Sequence, residues 1–70
     1  MTLGQRLRHL RERADLTQRD LARLAEISHG TVNNIEHGTR ADPASSVLHR
    51  LAKALGVTME YLLTGEPVTL

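Results

Sequence analysis

Apolar residues recur at spacings of three and four in five short stretches of the chain, which is the period of amphipathic helices. The first predicted helix runs from about Thr2 to Arg13, and Thr2 with Gln5 three residues later matches a capping box. Its apolar face consists of Leu3, Leu7, Leu10 and Ala14. No stretch shows the alternation of a β-strand, so the pattern predicts an all-α fold.

The second and third stretches are short and closely spaced. The second begins at Thr17, whose hydroxyl can cap a helix that has Asp20 at its third position. Its predicted inward stripe is Leu21, Leu24 and Ala25. Ser28 is the predicted cap of the third helix, which ends at Gly38. The third helix is predicted to bury Val32 and Ile35.

Two more helices follow the connection from Thr39 to Asp42. The fourth helix is predicted to have Asp42 as its N-cap and Pro43 as its first helical residue. The apolar stripe of the fourth helix is Val47, Leu48, Leu51, Ala52 and Leu55, and Gly56 ends it. Thr58 caps a last short helix before Gly65, with Met59, Tyr61, Leu62 and Leu63. Helices this short are marginal alone, which predicts a compact five-helix bundle over residues 1–65 and a tail over 66–70.

The segment from Thr17 to Gly38 has the form of a helix-turn-helix: a short helix, a turn at residues 26–28 and a second short helix. Ala22 is expected where the two helices approach most closely, because a small side chain is needed there. The wedge between the helices is expected to hold Leu21, Ile27, Val32 and Ile35.

Three separated runs, residues 16–22 (LTQRDLA), 27–38 and 51–58 (LAKALGVT), resemble the Cro and phage-repressor type of bacterial regulator, the XRE family. The resemblance extends from Leu3 to Gly65. It implies a lambda-repressor-like DNA-binding domain that acts as a homodimer on double-stranded DNA, most simply as a transcriptional repressor. It also implies a recognition helix, at about residues 28–37, that enters the major groove.

The resemblance implies that Gln18 and Arg19, at the start of the second helix, contact DNA. The outward positions of the recognition helix are His29, Gly30, Asn33 and Asn34, and the helical period turns His37 outward as well. An Asn carboxamide matches the N7 and N6 edge of adenine, a His can donate to guanine, and Thr31 offers a hydroxyl or a methyl group. Gly30 lets the backbone approach closely.

Further contacts, mainly to the DNA backbone, are expected from Arg11, Thr17, Ser28, Thr39 and Arg40. The resemblance also pairs Arg11 with Glu36. An exposed ion pair contributes only about 0.2–1 kcal/mol to stability, so the expected role of this pair is to orient the recognition helix. The dimer interface is expected at Val57 and Met59. Ala44 stands where many relatives have a serine cap, so Asp42 is expected to take over the capping.

Composition restricts the other possibilities. Seventy residues without cysteine make one small domain with no disulfide and no thiolate metal site, which fits the cytoplasm. No signal peptide or membrane span is predicted. HExxH, glycine-rich and cysteine-nucleophile motifs are absent, so neither an enzyme nor a cofactor is expected. The net charge of +1 gives no hint of nucleic acid: residues 1–40 carry seven basic and five acidic side chains, a balance of +2.

Several alternatives remain open. His29 and His37 lie eight residues apart, which disfavours a metal site. The asparagine pair is alternatively a solvated helix face. A solvated face is also the preferred interpretation of Arg6, Arg8, Arg13 and Arg23. An antitoxin-like module that binds a protein partner is the second functional class, because the apolar tail from Pro67 to Leu70 could add to another chain or lead into a further domain.

Overall fold

The computed structural model describes residues 1–39 and 42–66, and within them the chain forms five α-helices and no strand. They are α1 (Leu3–Arg13), α2 (Gln18–Ala25), α3 (His29–Glu36), α4 (Ser45–Leu55) and α5 (Met59–Thr64). The predicted all-α, five-helix fold is therefore confirmed. Arg40 and residues 67–70, on which two expectations rested, lie outside the described residues.

Four helices begin at the predicted caps, which are Thr2, Thr17, Ser28 and Thr58. The cap of α2 is a complete capping box, in which the Asp20 N–H donates to Thr17 Oγ1 and the Thr17 N–H donates to Asp20 Oδ2, both at 3.0 Å. Hydrogen bonds from Thr17 stabilise the Asp20 carboxylate and lower its pKa. The backbone N–H of Thr17 has the larger effect and the Thr17 hydroxyl the smaller one.

The start of α4 differs from the prediction. Its N-cap is Ala44, which has an extended backbone (φ −60°, ψ 149°) and no side chain that can accept a hydrogen bond. The helix therefore begins at Ser45, two residues later than predicted, and Asp42 is too far back to cap it. The prediction of Asp42 as N-cap and Pro43 as first helical residue was wrong, because Ala44 still has an extended backbone and the helix starts only after it.

The core is entirely aliphatic. Helix α1 packs against α3 and α5, and α2 packs against α3 and α4. The buried hydrophobic side chains that form it are Leu7, Leu21, Ala22, Ala25, Val32, Ile35, Leu48, Leu51, Ala52 and Leu62. The predicted wedge of the helix-turn-helix is confirmed, with Ile27 half-buried at its edge. Burial of this aliphatic surface is the main force that holds five short helices together.

Two residues assigned to apolar faces are exposed. Leu24 has 60% of its surface exposed. The buried face of α2 is centred between Leu21 and Ala22, and at about 100° per residue Leu24 lies roughly 100° from that centre. Ala14 is exposed because it is the C-cap of α1, where the helical path ends.

Gly4 and Arg6 have structural roles that the sequence pattern did not indicate. A Cβ on Gly4 would lie 2.3 Å from the Ile35 carbonyl oxygen, so only glycine allows α1 to approach α3 this closely. The Arg6 guanidinium donates to the carbonyls of Leu62 and Leu63, each at 3.0 Å, and to that of Met1 at 3.1 Å. Arg6 therefore ties α1 to the end of α5, and its assignment to a solvated face was wrong.

Candidate nucleic-acid interface

The turn between α2 and α3 has a defined backbone geometry. Glu26, the C-cap of α2, adopts a left-handed conformation (φ 58°, ψ 43°), and the Ile27 N–H donates to the Ala22 carbonyl at 3.0 Å. Ser28 then caps α3 by accepting the Thr31 N–H at 3.1 Å. Closed hydrogen bonds on both sides of the turn fix the direction in which α3 leaves α2.

Helix α3 turns one polar face to solvent. Its exposed residues, together with its C-cap, are His29, Gly30, Asn34 and His37. Asn33 is half-buried, at the edge of this face rather than at its centre. Thr31 is also half-buried, and its hydroxyl lies 2.6 Å from the Ser28 hydroxyl. A Cβ added at Gly30 would meet no atom within 4 Å, so the backbone at the start of α3 is open to a large ligand.

Behind the polar face lies an ion pair whose side chains are largely buried. Arg11 Nε donates to Glu36 Oε2 at 2.7 Å and Arg11 Nη2 donates to Glu36 Oε1 at 3.0 Å. The two hydrogen bonds make a bidentate contact between α1 and α3. Arg11 Nη1 donates to the Leu16 carbonyl at 2.8 Å. The side chains of Arg11 and Glu36 are only 13% and 3% exposed. The hydrogen bond to Glu36 raises the pKa of Arg11 further above its ordinary value.

The predicted pairing of Arg11 with Glu36 is confirmed. The small contribution to stability expected of an exposed ion pair does not apply, because these side chains are only 13% and 3% exposed. Removing one partner of a buried pair leaves an uncompensated charge, which costs about 3–5 kcal/mol. The pair therefore fixes the position of α3 against α1.

Gln18 connects the ion pair to the start of α3. Its Nε2 donates to Glu36 Oε1 at 3.1 Å, and its Oε1 lies 3.2 Å from His29 Nε2. Both contacts join residues more than ten positions apart, so helical periodicity could not indicate them. Of the predicted site residues, the structure thus brings Arg11 and Gln18 together on Glu36, and it places His29 against Gln18.

A cleft of about 280 Å³ lies beside this cluster, between α1, the start of α2 and α3. Its lining is Arg8, Arg11, Gln18, Asn33, Glu36 and His37. Arg19 and Thr39 are exposed near the helix-turn-helix, and Arg19 forms no ion pair with a described carboxylate. Thr17 is exposed as well, although its hydroxyl already accepts the Asp20 N–H. The surface around α3 therefore offers hydrogen-bonding groups and a few cations.

The family comparison agrees with this geometry. The family described as "Helix-turn-helix domain" matches residues 2–63, nearly the whole chain. The chain belongs to this helix-turn-helix family. Among curated proteins, the uncharacterized HTH-type transcriptional regulator RghRB of Bacillus subtilis (strain 168) is 40% identical over 62 residues, which is 89% of this chain and 45% of RghRB. The chain spans about half the length of the curated relatives it matches.

Two solved protein structures are similar to this one. The P22 c2 repressor, in complex with a synthetic operator, superposes with a TM-score of 0.85 at 27% identity, covering 94% of this chain and 98% of that one. The restriction-modification controller protein C.AhdI from Aeromonas hydrophila gives a TM-score of 0.82 at 34% identity, covering 87% of this chain and 91% of that one. The resemblance to phage repressors is thereby confirmed.

Val57 and Met59, the expected dimer contacts, are half-buried and pack against the core beside α5. Within residues 1–39 and 42–66, no group of three His, Asp or Glu side chains could hold a metal ion. The helices described are all too short or too polar to cross a membrane.

Proposed function

We propose that this chain is the DNA-binding part of a transcriptional regulator that recognises a specific double-stranded sequence with α3 in the major groove. The observation that carries the proposal is the exposed polar face of α3, held in place by the buried pair of Arg11 and Glu36. A polar face that were merely solvated would not need a buried ion pair behind it. A rigid supporting layer is what a helix needs to present side chains to base edges.

Two residues are best placed for base readout. Asn34 and His29 are exposed on α3, and their side chains can exchange hydrogen bonds with base edges in the major groove. Gly30 presents no side chain between them, which allows the backbone to come close to the duplex. Asn33 and Thr31 lie at the edges of the face and are proposed as secondary contacts.

The DNA backbone is the proposed partner of the residues that flank α3. Arg19, Thr17, Thr39 and Ser28 supply a cation and three hydroxyls, and such contacts fix the register of a protein on DNA without reading sequence. Arg11 already uses three of its nitrogens on Glu36 and Leu16. Its proposed role is therefore to position α3 rather than to grip a phosphate.

The regulator is proposed to work as a homodimer, most simply as a repressor, with Val57 and Met59 in the interface. Two copies would place two α3 helices in successive major grooves, about 34–36 Å apart. The similarity to the P22 c2 repressor, whose solved structure contains a synthetic operator, supports repression and operator binding as the proposed roles of this chain. Such a regulator would act in the cytoplasm, and no catalytic activity is proposed for it.

A selection from random duplexes tests the proposal. The full chain should enrich a two-fold symmetric sequence, and Asn34→Ala should weaken binding to that sequence about 5- to 100-fold, because one direct contact to a base is lost. Ser46→Ala, an exposed change on α4, is the matched control and should bind like the wild type.

A selection that enriches no sequence, together with an Asn34→Ala variant that behaves like the wild type, would refute the proposal. The antitoxin-like interaction module would then become the leading function, and a protein partner would be sought instead.

A further inference from the structure

Four side chains lie in series from the core to the exposed start of α3: Arg11, Glu36, Gln18 and His29. Three links join them, at 2.7 Å from Arg11 to Glu36, 3.1 Å from Gln18 to Glu36 and 3.2 Å between Gln18 and His29. The series begins at Arg11, passes through the buried carboxylate of Glu36 and ends at a side chain in the proposed DNA surface.

The chemistry of these groups fixes the direction of every hydrogen bond in the series. The Glu36 carboxylate can only accept, so Gln18 must turn its NH₂ group toward Glu36. The carbonyl oxygen of Gln18 then faces His29, and this oxygen also can only accept. His29 Nε2 must therefore carry the proton, which leaves Nδ1 of a neutral ring as an acceptor.

The opposite tautomer would place two acceptors 3.2 Å apart. If Nδ1 carried the proton, the unprotonated Nε2 would face the Gln18 oxygen with no hydrogen between them. Turning the Gln18 amide around does not help, because its oxygen would then face the Glu36 carboxylate. Among the described residues, none forms a hydrogen bond with His29 Nδ1.

We infer that Glu36, acting through Gln18, sets the base that His29 reads: an amino group of adenine or cytosine rather than the acceptor edge of guanine. In the major groove the N6 amino group of adenine and the N4 amino group of cytosine are the donors, whereas guanine presents the acceptors N7 and O6. A neutral His29 with Nδ1 as acceptor matches the amino groups and is mismatched to guanine. This replaces the guanine contact expected from the residue type alone, and it rests on the proposed DNA binding.

In this scheme Gln18 is a positioning residue, because it acts through His29. A variant of Gln18 should therefore change the base preference at the position that His29 reads, which a purely structural role would not do. Random duplexes are selected at pH 8, where an imidazole is neutral, with the wild type and with His29→Ala. The position at which His29→Ala loses its preference identifies the base that His29 reads. His49→Ala, another exposed helical histidine, is the matched control and should leave every position unchanged.

The wild type should prefer adenine or cytosine over guanine at that position by about 3- to 10-fold, the effect of one hydrogen bond. Gln18→Met keeps the length of the side chain but has no oxygen to fix the tautomer, so the preference at this position should fall to less than about 2-fold. In the His29→Ala background, Gln18→Met should leave the position unaltered. Glu36→Gln is a second variant, since its amide can donate as well as accept and should relax the same preference.

Three results would overturn the inference: a wild-type preference for guanine at the His29 position, no position that depends on His29, or an equal effect of Gln18→Met with and without His29. Failure of the proposed function looks different, because no duplex at all would be enriched. Melting curves of each variant show whether it is folded when its preference is measured.

Discussion

Glu26 carries a backbone conformation that non-glycine residues adopt at a cost. Its φ of 58° lies in the left-handed region, which costs an L-residue roughly 1–2 kcal/mol, while its ion pair with Arg50 is exposed and weak. We expect Glu26→Gly to raise the free energy of unfolding by about 0.5–1 kcal/mol, because the relieved strain exceeds the lost pair and the entropy cost of glycine. Urea denaturation measures the change.

Glu26→Ala is the control for this prediction. It removes the same ion pair and keeps the left-handed strain, so it should be slightly less stable than the wild type. Equal stabilities of Glu26→Ala and Glu26→Gly would contradict the prediction, because relief of the strain would then do no more than offset the entropy cost of glycine.

The capping box of α2 makes a pH-dependent contribution. The folded-state pKa of Asp20 is lowered from 3.8 by its hydrogen bonds with Thr17, so its contribution is fully present above about pH 4 and is lost as the pH falls through the lowered value. Asp20→Asn should therefore be less stable than the wild type at pH 7, and the difference should shrink as the pH is lowered to about 2.5. Chemical denaturation over this range measures it.

Asp15→Asn removes another exposed carboxylate and is the control for that series. A stability difference between the wild type and Asp20→Asn that stayed constant from pH 7 to 2.5 would contradict the assignment.

At the scale of elements, the sequence predicts the contacts that are local. A capping box joins residues three apart, so Thr2 and Thr17 could be recognised as helix starts. The ties between elements are different: Arg6 reaches the end of α5, 56 residues away, and nothing in helical periodicity marks it. Leu24 shows a third case, in which a helix of eight residues is too short for its apolar stripe to define the buried face.

The approach of α1 to α3 gives a prediction about elements. In Gly4→Ala the new methyl group meets the Ile35 carbonyl, and moving two packed helices apart should lower the free energy of unfolding by about 1–3 kcal/mol. The shift of α3 should also weaken binding to the selected duplex. Thermal denaturation and a binding titration measure the two effects.

Gly30→Ala is the matched control, since it adds the same methyl group to an open part of α3. Alanine is the better helix former by up to about 1 kcal/mol, so this variant should be more stable than the wild type. If both glycine variants were equally stable, the close approach at Gly4 would be disproved.

At the scale of the whole molecule, the outward face of α3 could be predicted, but not the hydrogen bonds that lie behind it. The helical period turns Asn34 and His29 outward, as found. The bond from Gln18 to Glu36 depends on how α2 is placed against α3, which the core determines. For the same reason, the burial of the ion pair between Arg11 and Glu36 could not be foreseen from residue types.

The net charge of +1 makes dimerisation decisive for the proposed function. Nonspecific affinity grows with the number of phosphates that a protein neutralises, and one copy of this chain offers few cations for that purpose. Affinity for an operator must then come from base contacts made twice by linked copies. Joining two binding modules raises the overall affinity by about 10²–10⁴ without any new contact.

Met59→Lys tests this dependence, because it puts a charge into the proposed interface while the aliphatic stem of lysine keeps part of the packing against the core. We expect a monomer in analytical sedimentation and an affinity for the two-fold symmetric duplex at least about 100-fold below that of the wild type. Affinity for a duplex with a single half-site should change little. Leu24→Lys adds the same charge at an apolar residue on α2 that is 60% exposed, and it should stay dimeric and bind normally. A Met59→Lys variant that remained a dimer would move the interface away from α5, whereas a monomer with full operator affinity would show that one copy of α3 suffices.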